Sequence, residues 1–238
     1  QIVHLRIIKP MKRANYIISC LLIFGFTLMM ATARRLTESE HWLRAGHWGK
    51  FSICDAPLSM DIHHSTLGIM GMGRIGQAIA KRARGFNMKV TYFNRSRLSE
   101  DLEKECGATY IDRETLLKQS DHIILVMPYT PENHHLFGEK ELNLMKPTAT
   151  LVNIARGGIV DELALAKALK EGKIFGAGLD VFEGEPKVIP ELLALKNVVL
   201  APHMASATEK TRRAMIQLAI KNCLAGLNGQ TPPNLLKA

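Results

Sequence analysis

The chain has 238 residues, 47% of them hydrophobic and 6% aromatic, and a formal net charge of +9. That length suits one large domain or one and a half, and the composition fits a soluble α/β protein with an aliphatic core. The basic excess is spread along the sequence, with no basic tail and no basic patch interleaved with aromatics. This argues against nucleic acid as partner and for attraction of an anionic cofactor and small anionic substrates.

The first feature in chain order is 14–33, twenty residues without a charge between Lys12-Arg13 and Arg34-Arg35. By length it is a membrane-span candidate, and from Met11 it imitates a signal peptide with Ala31-Thr32-Ala33 as cleavage site. The reading preferred here is a buried helix followed by a charged, solvated extension over 34–44. From Ser65 to Pro202 strands and helices alternate. The pattern predicts strands at 67–70, 89–93, 109–111, 122–126, 150–153, 176–180 and 198–201. Helices are expected at 75–84, 99–106, 114–119, 139–145 and 163–171, with Asp112 and Asp161 as caps and Gly172 as a stop. A terminal helix over 207–227 ends at Asn228-Gly229. The alternation predicts an α/β fold with a doubly wound parallel sheet.

Gly71-Met72-Gly73-Arg74-Ile75-Gly76 lies between the first strand and its helix. Gly71 makes the turn, Gly73 admits a pyrophosphate to the backbone, and Gly76 lets helix pack on strand. The helix N-terminus offers N–H groups and a positive dipole end to the phosphates. At the end of the second strand, where an acid would bind a ribose 2′-hydroxyl, the chain reads Asn94-Arg95-Ser96-Arg97. Two guanidiniums suit a 2′-phosphate, so NADPH is the expected cofactor, with NAD possible. Asn94-Arg95-Ser96 also matches a glycosylation sequon, but a cofactor-facing strand end argues against that use.

Three polar residues follow later strand ends: Arg156, Glu185 and His203. In an open α/β sheet these ends face the ligand. A hydride transfer to a ketone needs a proton for the oxygen, which His203 can supply. Glu185 can orient the imidazole and favour its charged form. Arg156 can grip an α-carboxylate through two hydrogen bonds, which points to a 2-keto acid. The scattered cysteines Cys20, Cys54, Cys106 and Cys223 form no C-x-x-C and read as free thiols of a reducing cytosol. The pairs His63-His64 and His134-His135 lack companion ligands at metal spacing, so no metal is expected.

The segments 67–76, 126–135, 153–161, 177–186 and 202–208 resemble the D-isomer-specific 2-hydroxyacid dehydrogenases. The resemblance covers about 24–227. Asn94-Arg95-Ser96-Arg97 and the run 203–208 look like the branch of glyoxylate/hydroxypyruvate reductases and 2-ketogluconate reductases. It implies Arg156, Glu185 and His203 as the catalytic set, with Glu183 two residues short of the family position. It also implies cofactor contacts at Arg74, Ile75, Pro128, Ile154 and Asp180, the last on the nicotinamide side. Residues 24–35 look like the family's helix linking two domains, and 38–51 lies near its pairing arm, so a cytoplasmic homodimer is expected. The domain reading is an atypical segment 1–23, an interdomain helix and dimerisation arm 24–60, a dinucleotide-binding domain 61–204, and a C-terminal helix and tail 205–238. The family carries a longer amino-terminal stretch that builds most of a substrate domain, of which a remnant is expected here. That departure puts the activity of the chain alone in doubt. Two rival readings stand beside the reductase: a catalytically impaired dinucleotide-binding remnant or interaction module, and a protein tethered to a membrane through 14–33.

Overall fold

The computed structural model describes residues 14–51, 53 and 57–235. The expectations for 1–13, for Cys54 and for part of the proposed dimerisation arm fall outside them.

The chain opens with α1 (Ala14–Ala33) and α2 (Leu36–Arg44). The alternating core follows as β1 (Thr66–Met70), α3 (Arg74–Ala83), β2 (Lys89–Phe93), α4 (Glu100–Cys106), β3 (Ala108–Tyr110), α5 (Arg113–Gln119) and β4 (His122–Leu125). It continues with α6 (Glu139–Leu144), β5 (Thr150–Asn153), α7 (Glu162–Lys170), β6 (Gly176–Leu179), α8 (Pro190–Leu193), β7 (Val198–Leu200) and α9 (Glu209–Leu227). The expected doubly wound sheet is present. Its seven strands run in the order β3-β2-β1-β4-β5-β6-β7, every pair parallel. β2 and β4 flank β1, so the chain winds outward in opposite directions from this strand and leaves a crevice at the carboxyl ends of β1 and β4.

Local chemistry explains the boundaries. Asp112 accepts from the Thr115 N–H at the start of α5, and Asp161 accepts from Leu163 and Ala164 at the start of α7. Ser99 and Thr208 are caps rather than helical residues, which moves the starts of α4 and α9 inward. β3 lies one residue earlier than expected, in register with β2 through Val90↔Ala108. β4 and β6 each stop one residue early, which leaves Asp180 as the first residue of a loop.

The sheet divides two apolar cores. One face packs Leu116, Leu142, Leu165 and Leu192 of α5 to α8 against Ile123, Leu151 and Leu179. The other packs Leu22, Phe26 and Met29 of α1 and Ile79 of α3 against Leu67, Ile69, Ile124 and Val152. Fully burying such a side chain stabilises by about 1.5–3 kcal/mol. The apolar run 14–33 therefore supplies core, and α2 beyond it has no buried residue, as a charged extension should. Among the described residues no single helix is long and apolar enough to cross a membrane; 18–33 and α2 meet that test only as a pair bent by 57°.

His122 opens β4 and is buried. Its Nδ1 lies 2.8 Å from Thr150 Oγ1, and Nε2 lies 3.4 Å from the Asp61 carbonyl oxygen. Burial pushes this imidazole below its ordinary pKa.

Candidate functional site

A cleft of about 840 Å³ lies at the carboxyl edge of the sheet, lined in part by Ile75, Pro128, Ile154, Arg156, Asp180 and His203. A second cavity of about 390 Å³ shares Met127 and Pro128 with it and is lined by Gly71, Asn94 and Arg95. Most of the candidate cofactor residues thus face two adjoining hollows over the switch point.

The glycine turn fits a dinucleotide on its own geometry. Gly71 has φ +101°, and a Cβ there would stand 2.8 Å from the Met127 backbone nitrogen. A Cβ at Gly76 would stand 2.3 Å from the Gly71 carbonyl oxygen, so helix and turn can meet only without side chains. At Gly73 a Cβ would meet nothing within 4 Å. That residue is the N-cap of α3 and offers no side-chain cap, and Arg74 begins the helix beside it. No side chain therefore caps the first-turn N–H groups of α3, which an anion can use.

At the end of β2 the two arginines part. Arg95 lines the second cavity together with Glu132. Arg97 is instead held by Glu103, Nε to Oε1 at 2.9 Å and Nη2 to Oε2 at 2.8 Å. Tyr92 donates its hydroxyl to the same carboxylate at 2.6 Å. Arg97 and Tyr92 together hold the Glu103 carboxyl down at about 2. Burial and the Glu103 contact push the Tyr92 phenol up to about 12. The two guanidiniums expected at a 2′-phosphate thus differ in surroundings: Arg95 lines the second cavity, and Arg97 pairs with Glu103 at the exposed end of β2.

The structure brings Glu185 and His203 together, with Glu185 Oε2 2.8 Å from His203 Nδ1. The second carboxylate oxygen accepts from the Phe182 N–H at 2.9 Å. Burial pushes the Glu185 carboxyl up, but the His203 and Phe182 hydrogen bonds and the nearby Arg156 charge outweigh it and leave the group below its ordinary range. Arg156 lines the same cleft, and its Nη1 donates to the Ala155 carbonyl oxygen at 2.6 Å.

Asp180 lines the cleft, but its carboxylate is already engaged. Oδ1 accepts from Met204 N–H at 2.7 Å and Oδ2 from Ala205 N–H at 2.9 Å. Burial lifts this carboxyl against the pull of those two N–H groups. The two bonds tie down the segment just after His203, whose own φ is +49°. Asp180 thus fixes the backbone that follows His203, two contacts that sequence reasoning missed.

Two further contacts fix the loop carrying Glu185. Glu162, buried in the first turn of α7, accepts from the Glu183 N–H at 2.7 Å. A Cβ on Gly157 would stand 1.9 Å from the Phe182 carbonyl carbon, so the loops after β5 and β6 touch backbone to backbone. In sequence Glu162 reads as an ordinary first-turn acid, and only its burial gives it away. Glu183 does not reach His203; its Oε2 lies 2.8 Å from His135 Nε2. This also corrects the expectation that the pair His134-His135 has no companion ligand.

The comparisons agree with this architecture. Residues 26–205 match the family model described as D-isomer specific 2-hydroxyacid dehydrogenase, NAD binding domain. The chain belongs to the D-isomer specific 2-hydroxyacid dehydrogenase family. Over 215 residues it is 54% identical to a glyoxylate reductase of Thermococcus litoralis, an overlap of 89% of this chain and 65% of that protein. The chain thus spans a little under two thirds of the length of this relative. Among solved structures it is similar to a glyoxylate reductase from Paecilomyes thermophila, with 38% identity and a TM-score of 0.82 over 91% of this chain and 64% of that one. It is also similar to an NADPH-dependent glyoxylate/hydroxypyruvate reductase from Sinorhizobium meliloti in complex with NADP and malonate. That pair shares 34% identity and a TM-score of 0.80 over 94% of this chain and 71% of that one. As a member of this family the chain carries a nicotinamide dinucleotide domain, and the glycine turn and the crevice over β1 and β4 are its structural expression.

Proposed function

We propose that the chain is the cofactor-binding and catalytic part of a reductase that converts small 2-keto acids to D-2-hydroxy acids, with NADPH preferred. The observation that carries this reading is the Glu185–His203 pair at 2.8 Å, with His203 lining the same cleft as Arg156 and Ile75, next to the cavity lined by Gly71. Gly71, Gly73, Arg74, Ile75 and Gly76 would hold the pyrophosphate side of the dinucleotide. Asn94 and Arg95 would hold the adenosine ribose and its 2′-phosphate, and Pro128, Ile154 and Asp180 would border the nicotinamide side. When bound, the cofactor supplies the hydride.

The residues of the chain do the rest. Arg156 binds the substrate carboxylate and draws electron density toward the carbonyl oxygen. His203 gives its Nε2 proton to that oxygen as negative charge builds there. Glu185, held below its ordinary range, stays anionic and keeps the Nδ1 side of the ring fixed through the transfer. Glyoxylate and hydroxypyruvate are the first substrates to test, given the similarity to the Thermococcus and Sinorhizobium enzymes. The assay follows NADPH oxidation with each keto acid, on this chain and on a version carrying a family-type amino-terminal domain. In the active form His203→Ala abolishes turnover and leaves NADPH binding intact. Undiminished turnover in that variant removes His203 from the reaction.

A further inference from the structure

The geometry points to a divalent transition-metal site, formed by His134, His135 and Glu183, at the rim of the cleft. Their ligating atoms lie within 4.8 Å of one another. The two imidazoles stack with centroids 3.9 Å apart and planes 21° apart, which turns the same edge of each ring to one carboxylate. His135 Nε2 is 2.8 Å from Glu183 Oε2, and His134 Nε2 is 3.7 Å from Oε1. All three side chains are between 37% and 43% exposed, so a dissolved ion reaches them and the rings can turn to meet it.

The far side of each ring supports the same reading. His134 Nδ1 lies 3.2 Å from the Tyr129 hydroxyl, and His135 Nδ1 lies 4.0 Å from Asp161 Oδ2. The Tyr129 hydroxyl is within hydrogen-bond reach of His134 Nδ1 and can fix that ring with Nε2 toward the carboxylate, an outer-shell contact of the kind histidine sites use; the Asp161 carboxylate, at 4.0 Å, adds only its charge behind His135. A cation of zinc type would sit between His135 Nε2 and Glu183 Oε2 in place of their mutual hydrogen bond. Two nitrogens and one carboxylate oxygen suit Zn²⁺, with water completing a tetrahedron. Bound there, the ion ties the segment after β4 to the segment after β6, two residues before Glu185. His134 and Glu183 line the same cleft as Arg156 and His203, and zinc binding there is measured without turnover.

The experiment is equilibrium dialysis of the full chain against ZnCl₂ in a non-chelating buffer, with bound zinc counted by plasma mass spectrometry. The parent is expected to hold one zinc more than the double variant His134→Ala/His135→Ala and than Glu183→Gln. The control His63→Ala/His64→Ala keeps that zinc. Substitution with Co²⁺ gives visible absorption bands in the parent that vanish in Glu183→Gln, while circular dichroism checks that each variant is folded. Equal zinc in parent and Glu183→Gln, or none in the parent, overturns the assignment.

Discussion

Removing the Asp180 carboxylate tests whether the segment after His203 is held as the structure indicates. Two N–H groups, of Met204 and Ala205, donate to this one buried side chain at 2.7 and 2.9 Å. Hydrogen bonds to a charged group contribute about 1.5–3 kcal/mol each, so the pair is worth about 3–6 kcal/mol in gross terms. The buried carboxylate gives some of that back, because burial opposes its charge and lifts its pKa. The net expectation for Asp180→Ala is a loss of about 2–4 kcal/mol. Asp180→Asn keeps one acceptor but sets an amide N–H against a backbone N–H, for a loss of about 1–3 kcal/mol. Urea unfolding measures both; the midpoint should fall with little change of slope. The His203 ring signals should broaden or move in the NMR spectrum of both variants, since the backbone that aims the ring is released. An Asp180→Ala chain within about 0.5 kcal/mol of the parent, the usual scale of a featureless surface change, would refute the reasoning.

Three further outcomes are expected. Arg95→Ala should cost about 1–3 kcal/mol of NADPH binding and leave NADH binding almost unchanged, whereas Arg97→Ala should cost NADPH less; fluorescence titration of both cofactors decides it. Gly157→Ala should destabilise by about 1–3 kcal/mol or more, because a methyl group would stand 1.9 Å from backbone that cannot rotate away, and thermal unfolding together with the His203 NMR signals will show whether the loop carrying Glu185 shifts. His122 is neutral in its buried site with its pKa depressed from 6.5, and the unfolded chain takes up a proton first as pH falls. Stability should therefore be full above about pH 6.5 and decline below it; melting curves from pH 8 to 5 should show the decline, and His122→Asn should flatten it.

The fold was legible wherever its determinants lie close together in the chain. The alternation from Thr66 to Leu200 could be read to within a residue or so, because buried parallel strands leave unbroken apolar runs and Asp112 and Asp161 announce their helices. α8, only four residues long, was missed because it shows no period. α2 looked like a plain charged extension, since nothing in it is buried; a local Arg35–Glu38 ion pair at 2.7 Å spans its start. The glycine turn was legible for the same local reason. The supports of the site were not. Glu162 reaches Glu183 across 21 residues, Asp180 reaches Ala205 across 25, and His135 reaches Glu183 across 48. No spacing rule links such positions; only the parallel sheet, which delivers every strand end to one edge, makes them neighbours. Arg97 adds a nearer case: its residue type suggested a ligand, and its pair with Glu103 in α4, six residues on, was not read from the chain.

The left-handed backbone at His203 bears on the history of the chain. An L-residue held at φ +49° pays about 1–2 kcal/mol that glycine would not. A lineage that had stopped using the imidazole could recover much of that stability with substitutions to glycine or asparagine. A remnant drifting without a reaction would be pushed by its own backbone to shed this residue early. Histidine at position 203 is therefore the residue to follow through the sequences of near relatives, as a marker of whether selection still acts on the site.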